Sequence, residues 1–260
     1  GHKVLALPSK DGKLDAAAAE ACVKAHYADE NAEHIVQPGM VYISQPTELG
    51  TLYSREELSA LHTVCRAHGL KLYLDGARLG CALAAGGPPL AFLAAHTDAF
   101  TIGGTKMGAL LGEALVIGDE ALGRDFRYIM KQRGALLAKG RLIGLQFEAL
   151  FSGGLYVELA RHAVGCAQTL AEGLRARGYA FLTDSRTNQI FPILPRGLIR
   201  RLRQSFAFAF WQGVDGERDA IRLCCSWATP PEQIGAFLAA LDEYASVQAT
   251  GTSLPETMKR

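Results

Sequence analysis

The sequence lacks the features that define several large classes of protein. Among its 260 residues, 27 basic side chains are balanced by 26 acidic ones, so no surplus of positive charge indicates a nucleic-acid-binding surface. No apolar run approaches the roughly 20 residues that cross a bilayer. The glycine-rich fingerprints GxGxxG and GxxxxGKS/T are absent, which disfavours NAD-linked and P-loop nucleotide-binding proteins. We therefore expect a globular protein that binds neither nucleic acid nor membrane.

Cysteine patterns exclude a further class of site. The 6 cysteines form no CxxC pair, which is the spacing typical of zinc ribbons, and their neighbours are apolar. The chain is also far longer than the small secreted domains that depend on a disulfide framework. We interpret the cysteines as reduced core thiols of a cytoplasmic protein and expect no metal site.

The first part of the chain alternates between short apolar runs and helical patterns. The runs at 40–45, 70–75, 98–103 and 114–118 are typical of fully buried strands. Between the first two, Ser54 and Glu57 have the spacing of a capping box, and Gly69 stands where a helix ends. A strand-like run also occupies 4–7. The pattern predicts an α/β domain over 1–145, with a mostly parallel sheet flanked by helices.

A second, smaller α+β domain is predicted over 146–247. It begins with a long helix at 155–177, continues with strand-like segments at 189–194, 206–211 and 220–226, and ends with a helix. The alternation of Phe206, Phe208 and Phe210 favours a sheet face packed on a helix over an aromatic ligand platform. Residues 248–260 are polar and turn-prone, so we expect a frayed tail there.

The residues with the clearest chemistry follow two of the predicted strands. Asp75 ends one strand and is followed within one turn by Arg78, while Lys106 lies on a glycine turn after the next strand. Ligands of open α/β sheets bind at this edge. A carboxylate that keeps a pyridine nitrogen protonated and a lysine that forms a Schiff base suit pyridoxal phosphate. The competing interpretation is a local Asp75–Arg78 ion pair with Lys106 as a solvated loop residue.

Several segments together resemble the low-specificity threonine aldolases, which belong to the threonine aldolase and β-eliminating lyase family. They are YLDGAR at 73–78, GGTKMG at 103–108 and KQRG at 131–134, with SQPTELGT at 44–51 and RLCCSWAT at 222–229. The order and spacing are those of the family, and the similarity covers essentially the whole chain. It implies a fold type I enzyme with an aspartate-aminotransferase-like large domain and pyridoxal 5'-phosphate as cofactor.

The same resemblance implies roles for individual residues around the cofactor. Lys106 would form the Schiff base, Asp75 would contact the pyridine nitrogen and Arg78 the ring oxygen, with Thr105 beside the lysine. Lys131 would lie close to the cofactor phosphate, reaching it from a partner subunit. The implied assembly is therefore a homodimer or homotetramer with active sites at the interface. Members of the family also carry a further N-terminal segment, so we expect part of the large domain to precede the present sequence.

For the substrate, the resemblance implies that Arg222 binds the carboxylate of an amino acid, with Arg133 as a second basic group within reach. An arginine fork can hold a carboxylate at two points. Thr47 takes the place of a histidine that lies near the substrate hydroxyl in many members, so Thr47, a water and the cofactor phosphate all stay open as acceptors of the hydroxyl proton.

The expected reaction is aldol cleavage of L-threonine or a related β-hydroxy-α-amino acid to glycine and an aldehyde. The alternatives are β-elimination or transamination with the same cofactor, because lysine, aspartate and arginine would look alike in each. A fragment without catalytic activity is a third possibility.

Overall fold

The first part of the chain contains four strands and seven helices in the computed structural model, which describes residues 2–250. In chain order they are α1 (Ala16–Ala28), β1 (Met40–Ser44), α2 (Arg55–Ala67), β2 (Lys71–Asp75), α3 (Leu79–Ala84), α4 (Leu90–His96), β3 (Ala99–Gly103), β4 (Glu113–Ile117), α5 (Glu120–Gly123), α6 (Phe126–Gln132) and α7 (Arg141–Phe151).

These strands form one sheet with the order β1-β2-β3-β4. Strands β1, β2 and β3 are parallel, and β4 returns antiparallel to β3. Strand β3 is buried along its whole length, whereas β1 alternates between buried and exposed residues and β4 is partly exposed. The expectation of full burial was therefore wrong for 40–45 and 114–118, which lie at the edges of the sheet, and also for 70–75, where Lys71, Tyr73 and Asp75 are half-buried. The mostly parallel, helix-flanked sheet is confirmed.

Helix α2 shows why this half folds as the sequence indicates. The Ser54 hydroxyl accepts a hydrogen bond from the Glu57 amide, and the Glu57 carboxylate accepts one from the Ser54 amide, which completes the predicted capping box. Leu58, Leu61 and Cys65 lie on one face and are at most 1% exposed. This face belongs to a hydrophobic core that includes Leu72 and Leu74 of β2.

The second half contains helix α8 (Leu155–Ala176), strands β5 (Gln189–Ile190) and β6 (Ile193–Pro195), helix α9 (Arg196–Leu202), strands β7 (Ala209–Gly213) and β8 (Arg218–Cys224), and helix α10 (Pro231–Thr250). Strand β8 pairs antiparallel with each of the other three. A second hydrophobic core lies between this sheet and the helices. Helix α8 belongs to both cores, since Tyr156 and Ala160 pack in the first and Leu170 and Leu174 in the second.

Two local expectations are corrected here. Residues 4–7 form no strand, and Val4 is 86% exposed. Phe206 and Phe208 precede β7 and pack on the second core, where Phe206 meets Phe237 with ring centroids 5.0 Å apart, but Phe210 within the strand is exposed. The phenylalanines therefore do not share one buried sheet face, because regular alternation begins only at Ala209.

The cysteines and the C-terminus complete the comparison. All six cysteines are free thiols, but Cys224 is exposed, so it is not the core thiol that we expected. Helix α10 continues to Thr250, through the first residues assigned to the tail, and residues 251–260 lie outside the described part of the chain. Within 2–250, no helix combines the length and hydropathy needed to span a membrane.

Candidate active site

The candidate site begins where β1, β2 and β3 end. In the register of the parallel pair β1 and β2, Ser44 lies opposite Asp75. Strand β3 ends at Gly103, three residues before Lys106. Because the carboxyl ends of parallel strands share one edge of a sheet, the loops that carry Glu48, Arg78 and Lys106 leave the same edge.

The Asp75 carboxylate is held by two donors. One oxygen accepts a hydrogen bond from the Tyr42 hydroxyl at 2.5 Å, and the other accepts one from the Ala77 amide at 2.9 Å. The Tyr42 ring stacks on Tyr73 of the neighbouring strand, with centroids 5.4 Å apart. Burial and the Asp75 carboxylate both raise the pKa of Tyr42, so its hydroxyl stays protonated and keeps donating. These contacts fix the orientation of the carboxylate.

Arg78 does not pair with Asp75 in the described structure. Its guanidinium lies 3.7 Å from the carboxylate of Glu48, and its side chain is only 14% exposed, against 63% for Glu48. The competing interpretation of a local Asp75–Arg78 ion pair is therefore not supported. Arg78 immediately precedes helix α3, so its side chain starts one turn beyond the end of β2.

Lys106 lies in a single 3₁₀ turn, Thr105–Met107. Thr105 and Lys106 are exposed, whereas Met107 is fully buried and anchors the turn in the core. The Lys106 ammonium has no hydrogen-bond or ion-pair partner within residues 2–250. Lys106 thus lies on an anchored loop with its side-chain nitrogen accessible to a carbonyl ligand.

Close backbone packing brings the Asp75 and Lys106 segments together. A Cβ atom at Gly76 would lie 2.0 Å from the carbonyl oxygen of Thr101, and one at Gly103 would lie 2.4 Å from that of Ala77. The Gly103 amide donates a hydrogen bond to the Gly76 carbonyl at 3.0 Å. Only glycine permits this approach, which explains the Asp-Gly and Gly-Gly pairs of the sequence.

Tyr156 of α8 holds the segment between β3 and Lys106 in place. Its side chain is 1% exposed, and its hydroxyl donates to the Gly103 carbonyl at 3.0 Å and accepts from the Gly80 amide at 3.1 Å. Burial raises the pKa of Tyr156, so the hydroxyl remains a donor at any ordinary pH. One side chain therefore connects α8, α3 and the strand that leads to Lys106.

Arg222 lies on the second sheet. Its neighbours Ile221 and Leu223 are buried, and its own half-buried guanidinium lies 5.7 Å from the Trp211 ring centre. In the described part of the chain this guanidinium has no carboxylate partner. An arginine that is half-buried and unpaired is available for an anionic ligand.

The strand that carries Arg222 meets helix α3 near Arg78. The Asn188 side chain donates to the sulfur of Cys224 at 3.5 Å. Burial raises the pKa of Cys81, in α3, to about 12, and the nearby Cys224 contributes to this shift. Cys224, at the end of β8, thus lies near Cys81 of α3.

Lys131 and Arg133 lie at the end of α6, and both are exposed. Neither makes a hydrogen bond or ion pair with Asp75, Arg78 or Lys106 among the residues described.

Thr47 lies at the same edge but is closed off. Its side chain is 2% exposed, and its oxygen accepts hydrogen bonds from the Leu49 and Thr51 amides at 3.3 and 3.2 Å. It also lies 2.6 Å from the Thr51 hydroxyl, which itself donates to the Asp11 carbonyl. The Thr47 hydroxyl must therefore donate to Thr51, and its bonding capacity is used within the loop.

Comparison with known proteins agrees with this arrangement. A sequence model of the β-eliminating lyase family matches residues 1–204. The chain belongs to this family. It is 31% identical over 238 residues to the low specificity L-threonine aldolase of Pseudomonas aeruginosa, covering 90% of this chain and 66% of that protein. The corresponding enzyme of Saccharomyces cerevisiae is 28% identical, over 65% of this chain and 43% of the relative. The chain thus spans about two thirds of the bacterial relative.

Solved structures give the same result for the fold. A threonine aldolase of Leishmania major superposes with a TM-score of 0.89 at 41% identity, covering 94% of this chain and 71% of that one. An aspartate aminotransferase double mutant of Thermus thermophilus has a TM-score of 0.57 at 18% identity, over 82% of this chain and 59% of the other, and supports the fold alone. The fold type I prediction is confirmed.

Sequence reasoning missed three residues of this site: Tyr42, Glu48 and Tyr156. Tyr42 could not be found without the strand register, in which it lies two residues before Ser44, the partner of Asp75. Glu48 was visible as the charged residue of the 44–51 segment. Tyr156 gave no local signal, since an aromatic residue at the start of a long helix is more simply core.

Proposed function

We propose that this protein is a pyridoxal-phosphate-dependent aldehyde-lyase that cleaves L-threonine or related β-hydroxy-α-amino acids to glycine and an aldehyde. The observation that carries the proposal is the arrangement at one sheet edge, where an oriented carboxylate and an unpartnered lysine lie on adjacent strand ends, with an unpaired arginine on the facing sheet. The names of the similar proteins from Pseudomonas and Leishmania support the same reaction.

The residues present fit pyridoxal 5'-phosphate. Asp75 would hold the pyridine nitrogen, Arg78 the ring oxygen and Lys106 the aldehyde carbon, with Thr105 beside it. When bound, this cofactor supplies a sink for the electron pair left on the substrate α-carbon. Asp75 is suited to its task because its two oxygens accept from the Tyr42 hydroxyl and the Ala77 amide, which hold the carboxylate in one orientation.

Arg222 would bind the carboxylate of the amino acid. Its guanidinium lies over the Trp211 ring, and this contact restricts the side chain and lowers the entropy cost of binding a ligand at two points. The facing position of β8 and α3 would place this carboxylate between the two sheets. Arg133 is kept as a second candidate for the same anion, supplied by a neighbouring subunit.

We further propose a homodimer or homotetramer in which Lys131 reaches the cofactor phosphate of a partner subunit. Both Lys131 and Arg133 are exposed and make no bond to Asp75, Arg78 or Lys106 among the residues described. The surrounding segment also exposes apolar side chains, with Leu110 89%, Tyr128 78% and Leu142 60% accessible. Apolar exposure of this kind favours a covered interface.

Two further proposals concern the domain boundaries and the cellular location. The large domain would comprise 1–145 and the small one 146–247, with α8 shared between their cores. A cytoplasmic location is supported by six free thiols, which an oxidising compartment would not preserve.

The test uses full-length protein supplied with pyridoxal phosphate and L-threonine. Aldehyde would be measured by its reduction with alcohol dehydrogenase and NADH, and glycine by chromatography. Formation of both in equal amounts is the expected result; a 2-oxo acid with ammonia would instead identify β-elimination. Borohydride reduction and peptide mapping would locate the cofactor, and a label on Lys131 or Lys139 in place of Lys106 would overturn the assignment.

A further inference from the structure

The loop between β1 and α2 presents one charged side chain to the site. From Gln45 to Gly50 the side chains are buried or half-buried except that of Glu48, which is exposed. Gln45 fixes the start of the loop, because its amide group bonds to both the amide and the carbonyl of Tyr53. The loop is therefore rigid where it holds Glu48 toward open space.

Residues of the second half of the chain hold the end of the same loop, at Leu49 and Gly50. The Thr183 hydroxyl donates to the Leu49 carbonyl at 2.9 Å, and the Ser185 hydroxyl donates to the Gly50 carbonyl at 3.2 Å. With Thr47 bonded to Thr51, every polar side chain of the loop other than Glu48 is used for structure. Glu48 is the residue left for chemistry.

The position of Glu48 relative to the site follows from Arg78. Its carboxylate lies 3.7 Å from that guanidinium, and Arg78 is three residues beyond Asp75. The pair Ser44 and Asp75 are register partners, so Glu48 and Arg78 leave the sheet from adjacent strand ends. A ligand that contacts Arg78 and lies over Asp75 therefore comes within reach of Glu48.

We propose that Glu48 is the catalytic residue that accepts the proton of the substrate β-hydroxyl group, a role that rests on the proposed aldol cleavage. The carboxylate takes the hydroxyl proton, and the electron pair of the O–H bond forms the carbonyl bond of the aldehyde. The Cα–Cβ bond breaks, and its electron pair stays on the α-carbon, which then takes a proton from water to give glycine. Glu48 returns its proton to water, so the step needs no other reactant.

Arg78 gives Glu48 a second possible task, which is only to orient the arginine. The two roles differ in what an amide can replace. A glutamine at position 48 has nearly the same shape and keeps an oxygen that can accept from Arg78, but it cannot take up a proton. The orienting role would therefore survive Glu48→Gln largely intact, whereas proton transfer would not.

Exchange of the glycine α-proton with deuterated water separates the two roles, because it requires the cofactor and the lysine but no hydroxyl group. We expect Glu48→Gln to lower the rate of threonine cleavage about 100-fold or more, the usual contribution of a general base. Glycine exchange, followed by proton NMR, should stay within about threefold of the unmodified protein, since glycine has no hydroxyl proton for a general base to remove. Glu33→Gln, at an exposed position, is the control and should change neither rate.

Three results would overturn the assignment. Equal loss of cleavage and exchange in Glu48→Gln would make Glu48 an orienting residue for Arg78, and unchanged cleavage would exclude any role for it. If the unmodified protein exchanges glycine but cleaves no β-hydroxy amino acid, the proposed function itself fails, and the role of Glu48 fails with it.

Discussion

Tyr156→Phe tests whether one buried hydroxyl holds the Lys106 region in place. The substitution keeps the ring and removes one oxygen, which donates to Gly103 and accepts from Gly80. Both positions are buried, and the Gly80 amide lies in the first turn of α3, where no carbonyl of the helix can accept from it. A phenylalanine ring offers neither group a new partner.

The magnitude follows from those two lost partners. An unsatisfied buried amide costs about 1–3 kcal/mol, and the lost bond to the Gly103 carbonyl adds about 0.5–1.5 kcal/mol, so we expect a loss of about 2–4 kcal/mol in the free energy of unfolding. Because Gly103 begins the turn that carries Lys106, cofactor affinity should fall in the same variant. Tyr128→Phe removes a hydroxyl from a residue that is 78% exposed and is the matched control.

Urea unfolding followed by circular dichroism, with cofactor titration on the same samples, measures both quantities. The slope of the free energy against urea should be unchanged, since the substitution leaves the exposed surface of the unfolded chain nearly the same. A loss below about 0.5 kcal/mol, similar to that of an ordinary surface change, would refute the reasoning.

Three further substitutions have defined outcomes. Asp75→Asn should reduce turnover about 100-fold or more and cost only about 0.5–1.5 kcal/mol in the free energy of unfolding, because the amide keeps one of the two acceptor oxygens but removes the charge that faces the ring; near-normal turnover would exclude the electrostatic role. Arg222→Lys should raise the Michaelis constant for threonine about 10–100-fold, since one ammonium cannot replace a guanidinium that binds a carboxylate at two points. The control is Arg218→Lys on the same strand, where Arg218 pairs with Asp215, and it should leave the Michaelis constant unchanged. Burial opposes ionisation of Asp98, but the Leu72 amide and the Arg66 guanidinium outweigh it and lower the pKa of Asp98. Asp98→Asn should therefore lower the free energy of unfolding by about 2–3 kcal/mol above pH 5. This difference between variant and unmodified protein should shrink as the pH falls below about 4, because Asp98 then becomes protonated. A constant difference down to pH 2 would contradict the reasoning.

Much of the large sheet was predictable because its signals are local. The capping box at Ser54, the glycine after α2 and the apolar runs of β2 and β3 each depend on residues a few positions apart. Burial of the edge strands was not predictable in this way. Whether Met40 and Tyr42 face solvent depends on which strand takes the edge, and that is a property of the whole sheet.

The residues of the candidate site also fall into those with a local sequence signal and those without one. Asp75, Arg78 and Lys106 could be proposed from the sequence, because each follows a strand and carries a chemically informative side chain. Their partners could not, since Tyr42 reaches Asp75 across 33 positions of sequence and Tyr156 reaches Gly103 across 53. Such contacts arise only when register and helix placement are known. The use of the Thr47 hydroxyl within its own loop was likewise hidden, because threonine is compatible with both a bonded and a free hydroxyl.

The geometry between Lys106 and Arg222 is set by residues that carry no chemistry of their own. Helix α8 begins at the Tyr156 contact with the Lys106 strand and runs on into the core beneath the second sheet, so it links the two sides over 22 residues, or about 33 Å. The bonds from Thr183 and Ser185 to the Glu48 loop form a second connection on the opposite side. A substrate whose carboxylate binds Arg222 while its hydroxyl meets Glu48 would therefore be held by groups from both units. Its breaking bond would be oriented by how those units are joined, so changes at Tyr156, Thr183 or Ser185 should alter turnover without touching the substrate.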